Sequence, residues 1–292
     1  MSTFLEHLRS GQLLIADGAT GSNLQMRGLE QGTPSEVWVM ENPDPIVRLH
    51  RDFVEAGANL VLTSTFGGTA LRLEHANLQD RMAELNQRAV ALARQAANGA
   101  PLFVGGSMGP IGQLLEPLGP LPRVDAVREY AAQASALTAG GADVLVIETQ
   151  FDLGEATAAI EGARSASALP IVCSFSFDMG KRTMMGHAPS EIAKELTALG
   201  VDVIGVNCGK SLDENLANLS EMRAVTNKPL WMKPNAGLPR MGDDDVAIYD
   251  VTPAIMGEHA KQWVAAGAQI VGGCCGTSPE HLRAIAQTVR TP

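Results

Sequence analysis

Eight times along the chain a short aliphatic or β-branched run gives way to a segment whose apolar residues fall three and four apart. That rhythm restricts the fold more than any other feature. Residues 13–17 (LLIAD), 59–63 (NLVLT), 102–105, 143–148 (DVLVIE), 170–175 (PIVCSF), 201–206, 230–233 and 269–273 read as strands. Helical spacing predicts helices near 44–56, 80–98, 124–139 and 153–165, then from 190, and over 213–225, 252–266 and 279–289. In the first of these, Ile46, Leu49, Phe53 and Ala56 form one face. Ala-Gly-Ala or Gly-Gly-Ala turns at 56–58, 140–142 and 266–268 supply the glycine that commonly ends a helix.

Eight strand–helix pairs in 292 residues match a (β/α)8 TIM barrel, expected here as a single domain over 1–292. The competing arrangement is an open, doubly wound sheet, which typically carries a GxGxxG loop after its first strand. Asp17-Gly18-Ala19-Thr20-Gly21 lacks that spacing. The acidic run Asp243-Asp244-Asp245 reads as a solvated turn.

Lys and Arg number 22 against 32 Asp and Glu, a net charge of −10, which argues against nucleic acid or an anionic membrane surface as a partner. The apolar runs fall well short of the roughly 20 residues that a spanning helix needs. Glu6, His7 and Arg9 before the brief Leu13-Leu14-Ile15 run do not form a secretory signal. A cytoplasmic protein with reduced thiols is therefore expected.

In a barrel the site lies at the C-terminal strand ends. Those ends carry Asp17, Thr63, Gly105, Glu148, Ser176, Cys208, Lys233 and the Cys274-Cys275 pair. Three of the four cysteines thus converge on one face, while Cys173, inside its strand, reads as a small core residue. Three thiolates can hold one zinc ion at about 2.3 Å each and leave a fourth position open, as catalytic zinc sites do. Gly272, Gly273 and Gly276 leave the backbone free to aim both paired sulfurs at one metal. Unliganded thiols at the barrel mouth are the other reading the cysteines allow. Asp17 and Glu148 read either as holders of an ammonium group or as caps on the following loops. Lys233 reads as a stem packed at the rim, and the six histidines as surface or packing residues.

These residues together resemble the homocysteine S-methyltransferase family. The likeness is carried by Val206-Asn207-Cys208-Gly209 and by 271–281 (VGGCCGTSPEH), with Asp17-Gly18-Ala19-Thr20-Gly21, Thr63-Ser64-Thr65-Phe66, Glu148-Thr149 and 234–239 (PNAGLP) in the same order. It implies zinc ligation by Cys208, Cys274 and Cys275. It further implies that Asp17 and Glu148 hold the homocysteine amino group, that amides near Gly18 and Ala19 meet its carboxylate, and that Asn207 and Asn235 support the metal loop and pocket.

The implied reaction is zinc-dependent methyl transfer to the homocysteine thiolate, giving methionine. The implied partners are homocysteine and a small methyl donor, with a separate corrinoid protein as a further partner if the donor is a methyl-corrinoid. The donor stays open among a methyl-corrinoid or methyltetrahydrofolate system, betaine and S-methylmethionine. Gly67 and Thr149 stand where betaine-using relatives carry cage tyrosines, which weighs against an aromatic cation–π cage. Two other classes remain in view at this point: a zinc hydrolase on the same barrel, which needs a carboxylate or histidine base beside a metal-bound water, and a zinc- or thiol-binding module without catalysis.

Overall fold

Three of the helices end at the expected glycine turns: Gly57 (φ 113°), Gly141 (φ 90°) and Gly267 (φ 97°) all occupy the left-handed region. The computed structural model describes residues 3–97, 99–241 and 247–290. Its strands are β1 (Leu14–Ile15), β2 (Leu60–Leu62), β3 (Phe103–Met108), β4 (Val144–Gln150), β5 (Ile171–Phe175), β6 (Val203–Cys208), β7 (Leu230–Pro234), β8 (Arg240–Met241), β9 (Ala247–Ile248) and β10 (Ala268–Val271). Helices Asp44–Ala56, Met82–Ala96, Arg123–Ala139, Leu153–Ala166, Pro189–Ala198, Leu212–Arg223, Pro253–Ala265 and Pro279–Arg290 alternate with the eight strands of the larger sheet.

That sheet runs β1-β10-β7-β6-β5-β4-β3-β2 and every pairing in it is parallel. A parallel bridge between Ala16 and Leu60, backed by Asn59 N–H donating to the Ile15 carbonyl at 2.9 Å, joins the two ends. The chain is a closed (β/α)8 barrel, as the alternation predicts. β8 and β9 form a small antiparallel hairpin outside it, in the segment after β7. The acidic run Asp243 to Asp245 lies outside the described residues, as does Asn98 at the end of the helix expected over 80–98.

The barrel interior is apolar and filled by Leu14, Leu60, Phe103, Val144, Val203, Trp231 and Ile270. Parallel strands covered on both faces need such unbroken apolar runs. A helix absent from the sequence reading, Phe4–Arg9, closes the N-terminal mouth by adding Phe4 and Leu8 to this cluster. The Phe4 and Phe103 rings meet edge to face at 5.8 Å. The helix is short, but a reciprocal capping box starts it: Glu6 N–H donates to Thr3 Oγ1, and Thr3 N–H donates to Glu6 Oε2 at 2.7 Å. With this end plugged, the open end of the barrel is the C-terminal one. No helix among the described residues is long and apolar enough to cross a membrane.

Two boundaries matter for the site. β3 runs to Met108 instead of stopping at Gly105, because Gly105 and Gly106 interrupt the apolar run without ending the strand. Its site-facing end is therefore Ser107. The β4–β5 register shifts between Ile147 and Gln150, and the irregularity places Glu148 and Thr149 in the mouth.

Candidate active site

The Sγ atoms of Cys208, Cys274 and Cys275 lie within 4.8 Å of one another, and Cys208 and Cys274 are 3.0 Å apart. Local backbone geometry brings them together. Cys208 ends β6 at φ 55°, a left-handed conformation that a side-chain-bearing residue rarely takes, and Gly209 follows at φ 75°. The Cys208 carbonyl is held by Asn215 Nδ2 at 2.7 Å and by the Asn235 amide at 3.1 Å. Cys274 N–H donates to the Pro234 carbonyl at 2.8 Å, which ties the second cysteine loop to the end of β7.

Asn235 clasps the two cysteine loops. Its Nδ2 donates to the Gly209 carbonyl at 2.9 Å, while its Oδ1 accepts from Cys275 N–H at 3.0 Å. Asn207 does the same between strands. Its Oδ1 accepts from Thr149 N–H at 2.9 Å and Ser174 Oγ at 2.7 Å, and its Nδ2 donates to Thr149 Oγ1 at 2.7 Å and reaches Cys208 Sγ at 3.4 Å. Thr149, like Cys208, is left-handed (φ 61°), and these bonds hold it there.

Among the sulfurs themselves, hydrogen bonds from the Cys208 and Cys274 thiols favour the thiolate at Cys275 and pull its pKa far below the usual thiol range. The same contacts push Cys208 up. Tyr249 is a site neighbour that sequence spacing does not reveal. Its ring packs on Gly276, which sits at φ 78° where no Cβ would fit, and burial followed by the nearby thiolates raises the phenol to about 12.

The cysteines open into a cavity of about 540 Å³ that also reaches Gly18, Ala19, Ser64, Ser107, Glu148 and Lys233. Small-molecule sites commonly measure ~300–1,000 Å³. Glu148 is buried, and Ser107 Oγ donates to its Oε1 at 2.5 Å. Burial is the main reason its pKa rises to about 7, with the Lys233 charge working in the opposite direction.

Several expectations change here. Lys233 is no rim residue: it is 3% exposed, and its Nζ sits 2.6 Å from Asp17 Oδ1 and 5.6 Å from the Trp231 ring centroid. Burial works against its charge, but Asp17 and Glu148 outweigh it and raise the pKa. The sequence does carry a signal for this, since a lysine inside the apolar LWMK strand needs a buried partner. Asp17 is that partner. Its other oxygen accepts from Leu62 N–H at 2.7 Å, and the side chain is almost wholly buried beside the cavity lining.

The Ala19 amide is likewise engaged, donating to the Thr277 carbonyl at 3.2 Å and to Thr277 Oγ1 at 3.1 Å. Ser64 Oγ is buried, lines the cavity and has no hydrogen-bond partner among the described residues. Ser176 turns to Asp178, bonding both carboxylate oxygens at 3.0 and 2.9 Å, and is not part of the cavity wall. Cys173 is fully buried in β5, and burial raises its thiol pKa, in keeping with a core role.

The family model for homocysteine S-methyltransferase matches residues 14–289. The chain is 35% identical over 309 residues to a methionine synthase of Mycobacterium tuberculosis, covering 98% of this chain and 25% of that protein. A methionine synthase of Mycobacterium leprae is 34% identical over 300 residues, covering 95% and 24%. The chain thus spans about a quarter of the length of these relatives. Among solved structures, the homocysteine methyltransferase MmuM from Escherichia coli superposes with a TM-score of 0.82 in its metallated form, at 25% identity over 97% of this chain and 99% of that one. Its oxidized form gives 0.81 at 26% identity, covering 97% and 98%. Barrel, cysteine triad and a family match across nearly the whole fold agree, and the chain belongs to the homocysteine S-methyltransferase family.

Proposed function

We propose that this protein transfers a methyl group from a small donor to the sulfur of homocysteine, giving methionine, with zinc held by Cys208, Cys274 and Cys275. The observation that carries this reading is the convergence of three sulfurs within 4.8 Å at one wall of a cavity that also presents the buried Glu148 carboxylate. The donor set fits the metal, since three thiols suit zinc; tetrahedral zinc with bonds of about 2.3 Å needs sulfurs about 3.8 Å apart, so Cys208 and Cys274, now 3.0 Å apart, would open by about 0.8 Å to hold it. Bound there, zinc supplies the acidity that keeps a substrate thiol, with a reference pKa near 8.5, in its thiolate form.

The chain's own residues orient the substrate. Glu148 offers a carboxylate to the ammonium group of homocysteine, which directs the thiol toward the cysteines. The substrate carboxylate meets the Lys233 ammonium and the unpartnered Ser64 hydroxyl, with Asp17 holding Lys233 in place from behind. Asn207 and Asn235 position the cysteine loops. The homocysteine sulfur then forms a bond to the donor methyl as the donor's own bond to that methyl breaks. The electron pair leaves with the donor, and the thiol proton has already gone to solvent.

Likeness to methionine synthases supports a second donor reading, a methyl-corrinoid supplied by a separate protein. A panel of betaine, S-methylmethionine, methylcobalamin, and methyltetrahydrofolate with added corrinoid protein tests both, with homocysteine and zinc-loaded enzyme. Methionine from at least one donor is expected, and none from any donor would remove the reading. Hydrolysis of ester or amide substrates in place of methyl transfer would instead favour a zinc hydrolase.

A further inference from the structure

The cavity continues away from the cysteines to a second end, formed by helices Ser35–Glu41 and Ala70–Leu73 and lined there by Glu36, Phe66, Gly67 and Arg72. Arg72 is half-buried. No hydrogen bond or ion pair of its guanidinium with another described residue is present, although both Glu36 and Glu155 act on it, or it on them, at longer range.

Those carboxylates are occupied by other groups. Glu36 Oε1 accepts from Gly67 N–H at 2.5 Å, and Glu155 Oε1 accepts from Ile111 N–H at 2.6 Å and Tyr130 Oη at 2.7 Å. The arginine side chain is nevertheless fixed in place. It lies against Gly112, which has φ 89°, and its Cδ and Nη1 are each 2.8 Å from where a Cβ there would stand. Its Nε lies 3.5 Å from the corresponding point on Gly67, with Glu36 Oε1 3.2 Å from that same point. Cation and carboxylate therefore flank one glycine on the cavity wall.

A partly desolvated guanidinium with five donors and no acceptor is unfavourable unless an anion meets it, and its planar fork matches a carboxylate. The lysine of the cavity lining, Lys233, is paired with Asp17 and lies at the homocysteine end, where it serves the homocysteine carboxylate. We propose that Arg72 sets donor specificity by binding a carboxylate of the methyl donor, with Glu36 beside the donor's positive, methyl-bearing centre. The far end of the cavity is thus built for a small zwitterionic onium compound. The assignment rests on the methyltransferase reading above.

Donor kinetics in the zinc-loaded full chain test it. S-methylmethionine and betaine are each compared with their methyl esters, which keep the methyl-bearing cation and lack the anion, in wild type, Arg72→Gln and Arg72→Lys. The expected result is a rise of about 10- to 100-fold in the KM of the carboxylate donor in Arg72→Gln, the factor one charged hydrogen bond carries. Arg72→Lys should recover part of it. The kcat and the homocysteine KM should hold within about threefold, and the ester should show no such dependence on residue 72. Thermal unfolding of each variant separates misfolding from lost recognition. Equal KM increases for acid and ester, a shift in the homocysteine KM instead, no effect of Arg72→Gln, or turnover with methylcobalamin alone would overturn the assignment and leave methyl transfer intact. Absence of methionine with every donor in wild type would overturn both.

Discussion

Lys233 Nζ and Asp17 Oδ1 stand 2.6 Å apart in the wall of the site, almost wholly removed from solvent. The pair joins the end of β7 to the residues just after β1, and it places a positive charge within electrostatic reach of both the Glu148 carboxylate and Cys274. A buried pair of this kind costs most when only one member is removed. Asp17→Asn should destabilise the protein by about 3–5 kcal/mol in urea unfolding, whereas the double change Asp17→Leu with Lys233→Met should recover most of that loss. Homocysteine affinity should fall in both variants. A double variant no more stable than Asp17→Asn would show that the pair does not act as a unit.

Glu148 makes a pH prediction with a definite sign. Its folded pKa of about 7 lies above the ordinary 4.5, so between those values the folded protein keeps a proton that the unfolded chain has released. Stability therefore declines as pH rises from about 4.5 to about 7, and the loss is complete above that. Glu148→Gln should remove this decline. The same titration governs substrate capture, because only the carboxylate form attracts an ammonium. Calorimetric titration of homocysteine into zinc-loaded enzyme should show an affinity that rises more steeply with pH in wild type than in Glu148→Gln, above the rise that loss of the substrate thiol proton gives both. Parallel pH profiles for the two proteins would remove Glu148 from substrate binding.

Asn207 is fully buried and holds Thr149, Ser174 and Cys208 through one amide. Asn207→Ala leaves the Thr149 N–H and the Ser174 hydroxyl without their partner, a loss of about 2–6 kcal/mol at roughly 1–3 kcal/mol for each unsatisfied group. It also releases Thr149 from its left-handed conformation. Zinc affinity, read by competition with a chelating dye, should drop about 10- to 100-fold, the usual effect of losing a group that orients a metal ligand. Unchanged zinc affinity would reduce Asn207 to a structural role.

At the opposite end of the barrel, Phe4→Ala should cost about 3–5 kcal/mol of stability by opening the interior beneath Phe103. Because that mouth is remote from the cysteines, turnover per folded molecule should match wild type. A large drop in kcat at a temperature where the variant is fully folded would contradict the view of the N-terminal helix as a plug.

The barrel was legible because its eight strands are β-rich runs separated by helices long enough to show their period. The helices Gly21–Gln25, Ser35–Glu41 and Ala70–Leu73 span too few turns to do so, yet they shape the outer cavity. The cysteine triad was legible from strand-end placement, and the family resemblance sharpened it. Asp17 was visible as a strand-end carboxylate, but its pairing with Lys233 depends on strands more than 200 residues apart becoming neighbours across β10. Thr149 and Tyr249 carry no comparable local signal. The left-handed backbone of the first is imposed by Asn207, and the second reaches the cysteines only because Gly276 has no side chain.

X-ray absorption at the zinc edge, recorded on the full chain before and after homocysteine is added, reads the metal and its ligands together. The expected spectrum is that of one zinc per chain, bound by three sulfurs at about 2.3 Å together with a lighter atom, changing to four sulfurs once homocysteine enters. Cys274→Ala should abolish stoichiometric zinc. A protein that binds no zinc, or one whose zinc keeps the same three-sulfur environment at saturating homocysteine, would contradict zinc-dependent methyl transfer to homocysteine.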